Sequence, residues 1–214
     1  MSRTTVHLLR HGEVHNPDRV LYGRIPGYGL SERGHRMAER IADTFTARGA
    51  DLVNLVASPL QRAQETAAPL AAAFDLPVRT DERVIEAENY FEGSTVGKNP
   101  AELLNPAHWA KLVNPLRPSW GEPYAEQAAR MYAAIRDARA AADGHEAVIV
   151  SHQLPIWVTR STILGRSMLH DPRRRRLTLA SLTTLTFERG TLLAVDYTEP
   201  CADLLPDATT AVLP

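Results

Sequence analysis

Apolar positions along the chain fall into short runs that alternate with stripes of helical spacing. Val6, Leu8 and Leu9 form a β-rich run that stops at Arg-His-Gly-Glu over 10–13, the pattern of a buried strand feeding a polar loop. Met37, Ile41 and Phe45 then recur at four-residue spacing on one face of a helix expected over about 31–48, with Ser31 as its N-cap and Gly49 as its stop. The run 52–57 predicts a second strand. Ser58 is expected to cap the following helix and Pro59 to open it, because the first helical position needs no N–H. A short strand is expected at "LPVRT".

The stretch from about 85 to 123 is rich in Pro, Asn, Gly and Trp and has little periodicity, so it reads as an excursion over the sheet with short helices. Helical spacing returns from Glu122 to about Ala142, and "EAVIVSHQLPIWVTRSTILG" gives a third strand, polar turn and helix, the helix starting near Pro155. The end alternates and turns at Arg189 and Gly190, which predicts two antiparallel strands at a sheet edge. The last dozen residues read as loosely held. Strands alternating with helices imply an α/β fold: a three-layer α/β/α sandwich whose central sheet is mainly parallel, with an antiparallel edge. Residues 1–214 are read as one domain carrying the 85–123 excursion over its active site. In such sheets ligands bind beyond the carboxyl ends of the strands.

Composition narrows the picture. With 24 Lys and Arg against 25 Asp and Glu, no global field draws the chain to nucleic acid or to an anionic membrane, and any anion site has to be local. Cys201, the single cysteine, forms no internal disulfide and sits in a tail that reads as surface chain. The N-terminal apolar run is too short for a signal peptide or a membrane span, so a reducing cytoplasm is expected.

Three strand ends carry groups suited to an anion: Arg10 and His11 after the first, Arg62 one turn into the helix after the second, Ser151 and His152 after the third. A phosphate monoester carries close to two negative charges near neutral pH, which two guanidinium forks and an imidazole complement. At a fourth strand end, "DERVIEAENYFEG" offers carboxyls of which one, raised in pKa by burial, suits a general acid.

"LLRHGEVHNP" resembles the Arg-His-Gly-Glu signature of the histidine phosphatase superfamily, phosphoglycerate mutase-like branch. "YGRIPGYGLSERG" is similar to the segment that follows it, "ASPLQRAQETA" to the second arginine motif and "VIVSHQ" to the second histidine motif, in order over about residues 5–165. The resemblance implies that His11 becomes a phosphohistidine while Arg10, Arg62 and His152 grip the phosphoryl oxygens, and that Glu86 is the acid, with Glu88 as its rival. It also implies substrate-binding positions at Asn16, Tyr22, Gly23 and Gln153. The departures are Asn16, five rather than six residues after the nucleophile, and Gln153, where many relatives have glycine. A phosphohistidine route needs only side chains, so no metal and no cofactor are expected.

Three other features are set aside. His7, His11 and His15 have the spacing of a helical metal face but span a strand and a loop, and Arg173 to Arg176 read as a solvated basic run. Trp109, Trp120, Tyr90 and Phe91 are candidates for an apolar lid, while Trp157 reads as core. The expected partner is a small phosphate monoester, with neither nucleic acid nor membrane; a homodimer is left open. The leading reading is a metal-independent phosphomonoesterase. A cofactor-dependent phosphoglycerate mutase and a non-catalytic phosphate-binding module are the alternatives.

Overall fold

A computed structural model describes residues 3–95, 105–109, 120–168 and 175–205. The elements are β1 (Arg3–Arg10), α1 (Glu32–Ala47), β2 (Leu52–Ala57), α2 (Gln61–Phe74), β3 (Val78–Thr80), α3 (Pro106–Trp109), α4 (Tyr124–Ala141), β4 (Glu146–Ser151), α5 (Gln153–Ile163), β5 (Leu182–Glu188) and β6 (Thr191–Thr198), with 3-10 turns at Glu82–Val84 and Ala202–Leu204.

The sheet runs β3-β2-β4-β1-β5-β6. β3, β2, β4 and β1 pair in parallel, while β1-β5 and β5-β6 are antiparallel. The expected mainly parallel sheet with an antiparallel edge is what the chain forms. Arg189 and Gly190, both at positive φ, make the hairpin turn that joins β5 to β6.

Period-two alternation on buried strands produces the layers. Leu9, Leu55, Ala57, Val148 and Val150 face Met37, Ile41 and Phe45 of α1 and Leu70 of α2. Their neighbours Val6, Leu8, Val56, Ala147 and Ile149 face Met131 and Ile135 of α4 and Ile156 of α5. Both faces are therefore dry, and polar groups collect at the strand ends.

Several boundaries differ from the sequence reading. α2 begins at Gln61 with Leu60 as its cap, not at Pro59, and the Ser58 hydroxyl, which accepts from Leu60 N, also contacts His152. α5 begins at Gln153, two residues before Pro155, since a proline in the first helical turn displaces no helical bond. Cys201 is not surface chain: it is 1% exposed, its thiol donates to the Met37 carbonyl, and burial raises its pKa to about 11. Of the 85–123 excursion, residues 96–104 and 110–119 lie outside the described residues, as do Arg173, Arg174 and the last nine residues, 206–214.

Candidate active site

The carboxyl ends of β1, β2 and β4 are level with one another. Arg10 pairs with Ser151 in the register of β1 and β4, His11 N donates to the Ser151 carbonyl at 3.1 Å, and Ser58 N donates to Val150 at 2.9 Å. A chain leaving one of these strands therefore meets the chains leaving the other two. Arg10, His11, Arg62 and His152 are buried together there.

His11 follows β1 directly. Its Nδ1 lies 2.7 Å from the Gly12 carbonyl, and a carbonyl only accepts, so the ring proton sits on Nδ1 and Nε2 keeps its lone pair. Burial, then the charges of Arg62 and Arg10, hold the His11 pKa well below its ordinary value. The ring is thus neutral at physiological pH, as a nucleophile requires.

His152 caps α5, and its ring centroid lies 5.1 Å from that of His11. Its Nε2 contacts Ser58 Oγ at 2.7 Å. Ser58 Oγ also accepts the Leu60 amide at 3.3 Å; with the imidazole proton on Nδ1, the hydroxyl donates its own proton to Nε2. Burial first, then Arg62, His11, Arg130 and Arg10, lower the His152 pKa well below the usual histidine range. Among the described residues, His152 Nδ1, Arg10 Nε and Arg62 Nε are buried without a hydrogen-bond partner. Buried donors left so are costly, and an oxyanion is their complement.

Each arginine is fixed by a backbone carbonyl. Arg10 Nη1 donates to Leu177, and Arg62 Nη2 donates to Gly23 at 2.7 Å. The Tyr22 ring stacks on the Arg62 guanidinium, 4.7 Å from centroid to Cζ, and on Tyr28. Tyr22 and Gly23 are thereby brought to the site as supports of Arg62. Thr66 ties the nucleophile loop to α2: its hydroxyl donates to the Arg62 carbonyl and accepts from Gly12 N.

Glu86 lines a cleft that opens from Tyr22 and Gly23 towards Trp120, Tyr124 and Gln153. Burial raises its pKa against the opposing pull of the Ala87 amide, Arg62, Arg10 and Arg175, which suits a carboxyl that holds a proton. Glu88 lines the same cleft, but its side chain is 71% exposed and paired with Arg24 at 3.0 Å. Arg24 also donates to the Glu86 carbonyl and to Glu122, pinning the acidic segment to the loop after the nucleophile.

Asn16 lies in the loop that follows the nucleophile. Both atoms of its amide bond Val20, closing the turn over 16–20 in which Arg19 has positive φ. Gln153 is buried at the cleft and reaches the Leu177 carbonyl at 3.4 Å. Trp120 lines the cleft, whereas Trp109 is exposed and Trp157 packs on the core. His7 is turned away onto Thr184, Glu146 and Phe45. Among the described residues, no three His, Cys, Asp or Glu side chains are placed to hold a metal, and no helix is long and apolar enough to cross a membrane.

Two participants escaped the sequence reading. Ser58 was assigned to a helix cap, and Arg175 to a solvated run. Arg175 instead lines the cleft near Glu86, its Cζ 5.6 Å from the Trp157 ring centroid. An arginine cluster read in one dimension gives no sign of which member turns inward.

Fold and site together define the class: the chain belongs to the histidine phosphatase superfamily (branch 1), whose sequence pattern matches residues 6–199. The uncharacterized protein Rv0525 of Mycobacterium tuberculosis (strain ATCC 25618 / H37Rv) is 51% identical over 199 residues, spanning 93% of this chain and 98% of that one. A probable phosphoglycerate mutase, GpmB of Yersinia enterocolitica, is 32% identical over 88% of this chain and 87% of its own. Of solved structures, the mycobacterial glucosyl-3-phosphoglycerate phosphatase Rv2419c superposes with a TM-score of 0.69 at 25% identity, covering 86% of this chain and 90% of that one. Phosphatases and mutases thus both stand among the chain's relatives.

Proposed function

We propose that this chain is a phosphatase that hydrolyses a small phosphate monoester through a phosphohistidine on His11. The observation that carries the reading is the neutral, buried His11 with its Nε2 lone pair beside Arg10, Arg62 and His152. Nε2 attacks phosphorus, the bond to the alcohol oxygen breaks, and its electron pair leaves with that oxygen. Glu86 supplies the proton. The arginines and His152 Nδ1 stabilise charge on the equatorial oxygens. In the second half the Glu86 carboxylate takes a proton from a water whose oxygen attacks phosphorus, restoring His11 and releasing inorganic phosphate. Side chains alone balance both steps. The domain is proposed as one unit in which the 85–123 stretch, through Glu86 and Trp120, selects the alcohol.

A mutase reading draws support from the likeness to GpmB. It requires that the phosphoenzyme be kept from water, and the cleft beside Glu86 has polar lining from Asn89, Gln127 and Gln153, which favours hydrolysis. The test is release of p-nitrophenol from p-nitrophenyl phosphate with EDTA present. Turnover that vanishes in His11→Ala supports the phosphatase. Turnover unchanged in that variant would end the proposal, and conversion of 3-phosphoglycerate to 2-phosphoglycerate dependent on 2,3-bisphosphoglycerate would transfer it to the mutase.

A further inference from the structure

A general acid works only where it meets the leaving oxygen, and that place is set by the groups that hold the phosphoryl. The Glu86 carboxylate is not aimed by a side chain: among the described residues it accepts from Ala87 N at 2.8 Å, a donor in its own segment. Its backbone therefore decides where it stands. That backbone is held at three carbonyls by side chains from three other parts of the fold. Arg130 of α4 donates to Arg83 at 2.6 Å, Ser151 at the end of β4 donates to Val84 at 2.7 Å, and Arg24 donates through Nε to Glu86 itself at 2.7 Å.

Arg24 has a second connection. The carbonyl of Gly23, the residue before it, accepts from Arg62 Nη2 at 2.7 Å. Two adjacent residues thus fasten a buried guanidinium of the anion site and the acid at a fixed separation. The rest of the Arg24 fork is itself anchored, Nη1 by Glu88 at 3.0 Å and Nη2 by Glu122 at 3.4 Å. Glu122 also receives Nε and Nη2 of Arg130, at 2.7 and 2.9 Å, so one carboxylate joins both arginines that brace the 83–86 segment. A guanidinium presents its donors in one rigid plane, which a lysine ammonium on its flexible stem does not reproduce. The Arg24 side chain is 28% exposed, and ion pairs so placed add little to stability. Its contribution is to geometry.

We infer that Arg24 is a positioning residue, which sets Glu86 at the distance from the phosphoryl site where its carboxyl protonates the departing alcohol oxygen. The inference rests on the phosphatase reading and on Glu86 as the acid. Loss of the brace slows proton transfer to the leaving oxygen and spares attack by His11. The damage accordingly depends on how much the leaving group needs a proton.

The test reads kcat/KM for p-nitrophenyl phosphate, whose phenolate leaves unprotonated, and for sn-glycerol 3-phosphate, whose alkoxide does not. The wild type, Arg24→Ala, Glu86→Gln and the double variant are compared. Arg24→Ala is expected to lower the value for glycerol 3-phosphate by about tenfold or more, and that for p-nitrophenyl phosphate by at most about threefold. Added to Glu86→Gln it costs no further selectivity, because a residue that acts through another is coupled to it. Arg24→Lys keeps the charge without the planar fork and shares the selective loss, and it carries the comparison should Arg24→Ala not fold. Equal losses on the two substrates mark a merely structural residue and overturn the inference. So do independent losses in the double variant, or full activity in Arg24→Lys. A Glu86→Gln enzyme without leaving-group selectivity removes the acid and this inference with it, while a wild type that fails to turn over p-nitrophenyl phosphate ends the phosphatase reading as well.

Discussion

The imidazole rings of His11 and His152 lie 5.1 Å apart, centroid to centroid, tilted by 57° and both buried. Two rings this close, beside two guanidinium groups, cannot both be charged without a large penalty, and burial alone already disfavours the charged forms. The pair is accordingly neutral until an anion arrives, and the two rings have unlike roles set by unlike partners. The Gly12 carbonyl leaves His11 with a lone pair on Nε2, and Ser58 holds the Nε2 of His152, leaving its Nδ1 without a hydrogen-bond partner.

This arrangement fixes the pH profile. His11 must be unprotonated, and its lowered pKa keeps it so to well below pH 6.5, so the acid limb of kcat/KM falls there. Glu86 must be protonated, and its raised pKa extends that condition upward from the ordinary carboxylate range. The expected profile is a bell whose optimum lies on the acid side of neutrality, measured with a slow alkyl phosphate. A profile that climbs steadily through pH 8 would contradict these assignments.

Glu86 and Glu88 separate by leaving group. Glu86→Gln should lower kcat/KM for an alkyl phosphate by about 100-fold or more, and lower it much less for p-nitrophenyl phosphate, whose phenolate leaves without a proton. Glu88→Gln, which cuts one exposed pair with Arg24, should stay within about threefold on both substrates. Equal losses for the two variants would remove Glu86 from its role.

Ser58 is expected to act through His152. Ser58→Ala leaves Nε2 without its partner and frees the tautomer, so kcat should drop by about tenfold while the fold persists. Ser58→Thr, which keeps the hydroxyl, should recover most of the loss.

How far the sequence foretold this architecture depends on whether the signal was local. Met37, Ile41 and Phe45 are all wholly buried on the face their spacing defined, and the run 52–57 is β2 residue for residue. Arg10 ends a strand, His11 and His152 follow one and Arg62 lies in the first turn of a helix, so topology alone brings the four to one rim. Ser58 and Arg175 were misread for a common reason: each has a local role written in its neighbours and a tertiary neighbour that is not. A serine before proline looks like a cap until His152 approaches it from β4.

Close backbone packing yields a stability prediction. A methyl group on Gly34 would meet the Glu13 carbonyl oxygen at 2.0 Å, so the first turn of α1 touches the chain just beyond the nucleophile. Gly34→Ala should lose about 2 kcal/mol in urea unfolding or more, and lose activity as well, because relief must displace the loop that carries His11. A variant as stable and as active as the wild type would show that the contact relaxes at no cost.

A second stability test lies far from the site. Glu146 is bonded by His7 at 2.9 Å and by Arg48, and although burial opposes it these partners lower its pKa to about 2. A depressed carboxylate pKa stabilises the fold above its unfolded value, near 4.5, and that contribution is lost as pH falls from there towards 2. Glu146→Gln should therefore lower Tm at pH 7, and the gap to the wild type should close across that acid window. A gap independent of pH would assign the effect to packing.

The most direct test of the central claim is to mix the protein with 32P-labelled p-nitrophenyl phosphate, quench in alkali within milliseconds, and map the label after proteolysis. Acid-labile, alkali-stable phosphate on the peptide containing His11, absent from His11→Ala, is the predicted result. Label on Ser58 or His152, or hydrolysis at full rate with no phosphoenzyme at any quench time, would contradict the account.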